Sequence, residues 1–353
     1  MMNYRETIKQ IGPPDKKAAA ACRRRWNDIA KPLYGLGMLE ECHVRIAAIQ
    51  GTAHPDIRRK ALAVFCADNG IVEEGVTQTG QEVTAIVAEN FPDGISCAAL
   101  MCRKAGADLF PVDVGMAVDT PRIEKRKLRY GTGNITKGPA MTREEAIRTI
   151  EAGIEKASEL KQMGYGLLAA GEMGIGNTAT SAAVTAVLLD RDPADVTGRG
   201  SGLSDEALLH KQEVIRKAIR LNAPDPSDPL DVLSKLGGFD IAAMTGLYLG
   251  GAACSLPVLA DGFISLTAAL LAVRIAPACR DYILPSHASS EPAVRMLLEA
   301  LGMKPVIHAG MHCGEGTGAA AFFPLLDMAD EVYRKMASFD EIRVTKYEDY
   351  KNS

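Results

Sequence analysis

YGLLAAGEMGIGNTATSAAVTAVLL, residues 165–189, holds the fold in miniature. It opens on a short apolar run, passes through a glycine-rich turn carrying one carboxylate, Glu172, and closes on an Ala/Val/Leu run. An apolar stretch of strand length with no polar alternation reads as a strand buried on both faces. The small-residue run behind it reads as a helix. The unit is therefore strand, loop, helix.

The same unit recurs along the chain. KALAVFCADNG (60–70) and ADLFPVDVGM (107–116) are apolar runs that end in Asp-Asn-Gly and at Gly115. LPVLADGFISLTAALLAV (256–273) reads as strand, Asp261-Gly262, helix. KPVIHAGMHCGEGTGAAAFFPLLDMA (304–329) repeats the form, with Glu315 between Gly314 and Gly316. Helices separate the units. One spans 142–162, where Thr142 and Glu145 form a capping box, and another follows Ser204. Residues 1–50 read as helices punctuated by Pro13, Pro14 and Pro32. Alternating β and α predicts a parallel sheet covered on both faces, with ligands at the carboxyl ends of the strands. The order of the strands is not legible in the chain.

Composition narrows the function. The 353 residues are 47% hydrophobic and 24% charged, as in ordinary globular proteins, with few aromatics and 33 glycines. A net charge of −4 argues against a general nucleic-acid binder. The basic run EKRKLR (124–129) reads as a solvated loop. Eight cysteines stand singly, without a CxxC pair, and the six histidines lack zinc-ligand spacing. That pattern suits a reducing cytoplasm. No apolar run reaches membrane-span length, and the N-terminus carries no signal-like apolar core. GxGxxG, GxxxxGK[ST], GxSxG and HExxH are all absent.

The loops carry the chemistry. Gly174 and Gly176 precede a helix starting near Thr178, so bare amides and the positive helix end suit a phosphate. Asn177 and Thr178 add side-chain donors. A tight packing turn explains the same glycines equally well. Glu172 is out of place beside an anion unless the ligand also carries a positive centre, such as a ribosyl group becoming an oxocarbenium ion. Flanking glycines let a ligand approach Glu315 and desolvate it, which makes a better base. Lys211 and Arg199 could neutralise a phosphate or lie on a surface. Ser289, Ser290 and Glu291 could bind hydroxyls or cap a helix. His287, His308 and His312 have no sequence partner to fix a tautomer. Asp68-Asn69-Gly70 is either a ligand loop or a turn.

Six stretches occur in the order and spacing of one family: ADNGIVEEGVTQTGQEVTAIVAENF, GTGNITKGPAMTREEA, GEMGIGNTATSAAV, VTGRGSGLSDE, SSEPA and HAGMHCGEGTGAA. From about residue 5 to 345 the chain resembles the nicotinate-nucleotide–dimethylbenzimidazole phosphoribosyltransferase family of cobalamin lower-ligand synthesis. The resemblance implies one catalytic domain with an α/β, doubly wound (Rossmann-like) parallel sheet in 51–329. A small helical subdomain would come from 1–50 and 330–353. It implies transfer of 5-phosphoribosyl from nicotinate mononucleotide to an aromatic nitrogen base, with inversion at C1′. It also implies a homodimer, no metal and no other cofactor, since the leaving pyridinium carries its own charge. Glu315 matches the family's general base and Glu172 a second acid near the ribose. Gly174, Gly176, Asn177, Thr178, Lys211, Ser289, Gly314 and Gly316 match the phosphate and ribose region.

Gln78, Ile86 and Met173 fall in the region lining the acceptor-base pocket. Ile86 stands where many members have Gln, so the expected pocket is more apolar and the preferred base is open. KPLYGLG (31–37) departs from the family's KPxGSLG at Tyr34 and Gly35. Two rival readings make different demands. A dehydrogenase would need a dinucleotide motif that is missing, and a non-catalytic subunit would tolerate loss of Glu315.

Overall fold

The computed structural model describes residues 3–348. Helices α1 (Tyr4–Gln10), α2 (Lys16–Asp28) and α3 (Met38–Gln50) precede the first strand, β1 (Lys60–Ala67). Next come α4 (Glu82–Asn90) and α5 (Cys97–Lys104), then β2 (Ala107–Gly115), β3 (Glu124–Lys125) and α6 (Arg143–Gln162). β4 (Leu167–Met173) leads to α7 (Asn177–Leu189), α8 (Pro193–Val196), α9 (Asp205–Asn222), α10 (Pro229–Leu236) and α11 (Phe239–Ala253). β5 (Val258–Ala260), α12 (Phe263–Ile275), β6 (Ile283–Pro285), α13 (Val294–Leu301) and α14 (Thr317–Lys335) follow. The capping box at Thr142 and the Ser204 cap both form, so α6 and α9 start where the sequence places them.

All six strands are parallel, in the order β3-β2-β1-β4-β5-β6. The chain winds outward from β1 to one edge, returns, and winds outward from β4 to the other. A crevice opens at the carboxyl ends where the winding reverses. Every residue of β1 is buried, which is why its sequence is a continuous apolar run.

Both faces are covered, and glycines mark the tightest contacts. A Cβ on Gly115 would lie 2.5 Å from Cδ2 of Phe239, at the start of α11. On the other face, a Cβ on Gly316 before α14 would lie 2.4 Å from Leu62 Cδ1. α6 and α11 lie side by side with backbone against backbone. A Cβ on Gly153 would sit 2.0 Å from Ala243 O, and one on Gly246 2.0 Å from Ile150 O.

A second, smaller apolar cluster joins α2, α3 and the end of α14 through Cys22, Trp26, Ile29, Val44, Ala47, Ala329 and Tyr333. The KPLYGLG turn belongs to it. Leu36 packs on the cluster, Lys31 Nζ meets Glu40 Oε1 at 2.6 Å, and Tyr34 takes φ +59°. Residues 1–2 and 349–353 of the expected helical subdomain lie outside the described residues.

Two expectations are corrected. The strand expected at the head of 304–329 does not join the sheet. Its apolar run is only Val306-Ile307 behind Pro305, which has no N–H to give, and a single bridge links Ile307 to His287. The edge position is taken by β6, three residues long. EKRKLR is also only in part a solvated loop: Glu124, Lys125 and Arg129 are exposed, and residues 126–129 lie outside any strand. Glu124-Lys125 pairs with β2, and Lys127 Nζ lies 3.0 Å from Asp113 Oδ2. Asp113 is fully buried, so a basic neighbour must go in with it.

Candidate active site

β4 delivers Glu172 to the crevice. In register opposite Phe65, its side chain turns toward the start of α11. Only 7% of the residue is exposed. Asn177, first residue of α7, donates from Nδ2 to Glu172 Oε2 and to Asp240 Oδ2, the latter at 2.8 Å. One amide NH2 therefore bridges two buried carboxylates, one proton to each. Burial pushes Glu172 up to about 8. The charge of Asp240 acts in the same direction and the Asn177 bond opposes it. Burial likewise raises Asp240 to about 6. A cation arriving beside Glu172 would favour its ionised form.

The neighbouring glycines have separate reasons. A Cβ on Gly174 would lie 2.5 Å from Ala67 O and 2.7 Å from Asp240 Oδ2. Gly176 takes φ +93° and starts α7 without a side-chain cap. That leaves the helix start available to an anion. Behind it Lys211, 1% exposed, donates to Thr178 Oγ1 at 2.9 Å and to Gly198 O at 3.2 Å. Burial pulls its ammonium down to about 8, against the attraction of Glu291. Arg199 borders the same loop and is bound to Leu203 O and Asp205.

Glu315 occupies the opposite wall. Gly314, Glu315 and Gly316 take φ of +78°, +58° and +82°, three left-handed residues in a row. Glycine flanks Glu315 because the turn demands positive φ, and Glu315 itself bears the strain. Its carboxylate is half-buried and accepts from Ala98 N–H, in the first turn of α5, at 3.2 Å. Burial raises its pKa, Ala98 lowers it and Asp261 adds a smaller rise. Gly314 faces Glu172, where a Cβ would come within 2.8 Å of Oε1.

These elements enclose one cavity of about 760 Å³. Glu172, Met173, Gly174, Gly176, Asn177, Thr178, Ser289, Gly314 and Glu315 all border it. Lys211 lies beneath Thr178, and Gly316 lies behind Glu315. Gln78 is bonded to Gly202 O at the rim. Ile86 faces away from the cavity and is 59% exposed, while its neighbour Val87 borders the cavity. His287 sits deep, its Nδ1 3.7 Å from Asp261 Oδ1. His312 is exposed at the mouth. Asp68 and Asn69 act as a clasp: Asp68 accepts from Ala117 N–H and Asn69 donates to Ile175 O. Among the described residues, no group of three His, Cys, Asp or Glu is arranged to hold a metal. No helix there is long and apolar enough to cross a membrane.

Sequence reading missed two carboxylates. Asp240 follows Gly237-Gly238 at a helix start, the signal that singled out Glu172 and Glu315. Asp261 ends β5 and caps α14, accepting from Gly318 N–H at 2.7 Å and Ala319 N–H at 3.1 Å.

Known proteins match the chain over nearly its whole length. A family model described as phosphoribosyltransferase matches residues 11–344. The nicotinate-nucleotide–dimethylbenzimidazole phosphoribosyltransferase of Acetivibrio thermocellus is 48% identical over 97% of this chain and 98% of its own. That of Ruminiclostridium cellulolyticum is 47% identical over 98% and 99%. The crystal structure of CobT from Thermus thermophilus, 41% identical, superposes with a TM-score of 0.88 over 94% of this chain and 100% of that one. With the six loops in register, the doubly wound sheet and these matches, the chain belongs to the nicotinate-nucleotide–dimethylbenzimidazole phosphoribosyltransferase family.

Proposed function

We propose that the chain transfers 5-phosphoribosyl from nicotinate mononucleotide to 5,6-dimethylbenzimidazole or a related aromatic nitrogen base. The products are nicotinate and the α-riboside 5′-phosphate of that base. One observation carries the reading: a cationic end and two carboxylates with raised pKa share a single cavity. The phosphate would lie at the start of α7, over Gly176, Asn177 and Thr178, with Lys211 as counter-charge. Ser289 and the backbone at Gly174, Gly314 and Gly316 would line the ribose. Glu172 would face C1′, where positive charge grows as the bond to nicotinate lengthens. That charge stabilises ionised Glu172 and the carboxylate stabilises the charge, so the interaction strengthens toward the transition state.

The acceptor nitrogen attacks C1′ from the face opposite nicotinate, which inverts the centre. The electrons of the breaking C1′–N bond neutralise the pyridinium. Glu315 takes the proton from the acceptor's other nitrogen. Its half-buried carboxylate, tied to one amide, suits a group that must exchange a proton. Met173 and Gln78 would border the acceptor, and Ile86 would reach it only if a partner subunit or a loop movement closes over α4. A homodimer in the reducing cytoplasm belongs to the same reading, which eight free thiols support.

Mass spectrometry of products from nicotinate mononucleotide with competing acceptors tests the reaction and the acceptor together. The expected product is the riboside phosphate of a benzimidazole. Thermal stabilisation by a nicotinamide dinucleotide alone, with no product, would overturn the reading.

A further inference from the structure

His287 borders the cavity yet takes no part in the proposed transfer. It follows β6 at the carboxyl end of the sheet, where its bridge to Ile307 fixes the backbone. The residue is 2% exposed. Its ring lies against the start of α14: a Cβ on Gly318, three residues past Glu315, would stand 1.9 Å from Nδ1. Ser286 Oγ lies 3.2 Å from that nitrogen and Asp261 Oδ1 3.7 Å. Ser286 gives its own hydroxyl proton to Ala260 O at 2.7 Å, and Asp261 Oδ1 already accepts from the Gly318 and Ala319 N–H groups. Both neighbours present lone pairs, so Nδ1 carries the ring's proton.

Nε2 of the neutral ring is then an acceptor, and it makes no hydrogen bond to any described residue. It opens beside Gly262. A Cβ there would lie 3.5 Å from Nε2 and 3.3 Å from Ser289 Cβ, so the glycine keeps a slot clear between the imidazole and Ser289. Gly262, His287 and Ser289 all border the cavity. A buried acceptor calls for a donor. In nicotinate mononucleotide the pyridinium, the carboxylate and the phosphate dianion have no proton to give, and the donors are the two ribose hydroxyls. The N–H of the acceptor base is taken by Glu315. We propose that His287 Nε2 accepts a hydrogen bond from a ribose hydroxyl, which makes His287 the residue that selects ribosyl over deoxyribosyl donors. This assignment rests on the functional reading above for the identity of the nucleotide.

The test measures kcat/KM of the purified full chain with nicotinate mononucleotide and its 2′-deoxy and 3′-deoxy forms, for wild type, His287→Ala and His287→Gln. Wild type is expected to disfavour one deoxy form ~10–100-fold more than His287→Ala does, the scale of a donor lost from a buried acceptor. His287→Gln, whose amide oxygen can accept near the Nε2 position, should restore part of that preference. Loss of the hydroxyl changes the reactivity of C1′ alike in every variant, so it cancels from the comparison. The same preference in wild type and His287→Ala would overturn the proposal and leave the ring a packing role. Calorimetric titration of wild type with the three nucleotides needs neither turnover nor a variant. One deoxy form should bind ~10–100-fold more weakly, and equal affinities for all three would overturn the proposal. A wild type that makes no riboside phosphate from the ribosyl nucleotide would instead overturn the functional reading, and the titration would still decide whether a hydroxyl is read.

Discussion

GEMGIGNT and CGEGTG are near copies as text and opposites as structure. Glu172 ends a six-stranded sheet's inner strand, is almost wholly buried, and is tied through Asn177 to a second carboxylate. Glu315 sits on a left-handed loop outside the sheet, half-exposed, with one amide holding it. The first arrangement fixes a charge in place and penalises it until a cation arrives. The second leaves a carboxylate able to meet a proton. A glycine-flanked acid is therefore two devices, distinguished by the backbone that carries it.

Four substitutions test this contrast, from the largest expected effect down. Glu315→Gln should lower kcat by ~10²-fold or more, the range for a lost general base, with little change in thermal stability. An unchanged kcat would remove Glu315 from that role. Lys211→Met should raise KM for nicotinate mononucleotide by ~10–100-fold, the scale of one lost hydrogen bond to a charged group. Wild-type KM should also rise as pH passes about 8, where the buried ammonium loses its proton. A flat KM profile across that range would separate Lys211 from the phosphate.

Gly314→Ala should cost about 1–2 kcal/mol in urea unfolding, because its φ is +78°. It should also disturb Glu172, whose Oε1 stands 2.8 Å from the added Cβ. The smallest effect on stability is expected for Glu172→Gln, and it depends on pH. The unfolded glutamate ionises near 4.5 and the folded one near 8. Between those values the folded chain holds more protons, so wild-type stability falls as pH rises. The Tm advantage of Glu172→Gln over wild type should thus grow from about pH 5 to about pH 8. A constant difference would mean that Glu172 is not held protonated.

How much of this was legible follows from the length of each signal. β1, β2, β4 and β5 could be read because each is an apolar run that stops at Gly or Asp. β6 is three residues long and follows a 3-10 turn, too short to carry a period. The run at 304–307 reads as equally strand-like, but it holds only Val306-Ile307 behind Pro305 and makes a single bridge to His287, past the end of β6. In the site, Glu172 and Glu315 stood out locally. The partner that sets Glu172's chemistry, Asp240, lies on another helix, and no local pattern links the two. The inward turn of Lys127 within the basic run at 124–129 is illegible for the same reason: Asp113, which draws it in, sits on a neighbouring strand.

The α6–α11 contact has a mechanical consequence. At Gly153, Gly246 and Gly250 the two helices press so close that a single added Cβ would collide, so at these points little can absorb a shift. Asp240 is the second residue of α11, so its place beside Asn177 is set by a joint without slack. A displacement of α6 would arrive at the cavity nearly undiminished, and an added methyl at Gly246 would be felt at Glu172, far from where it was introduced.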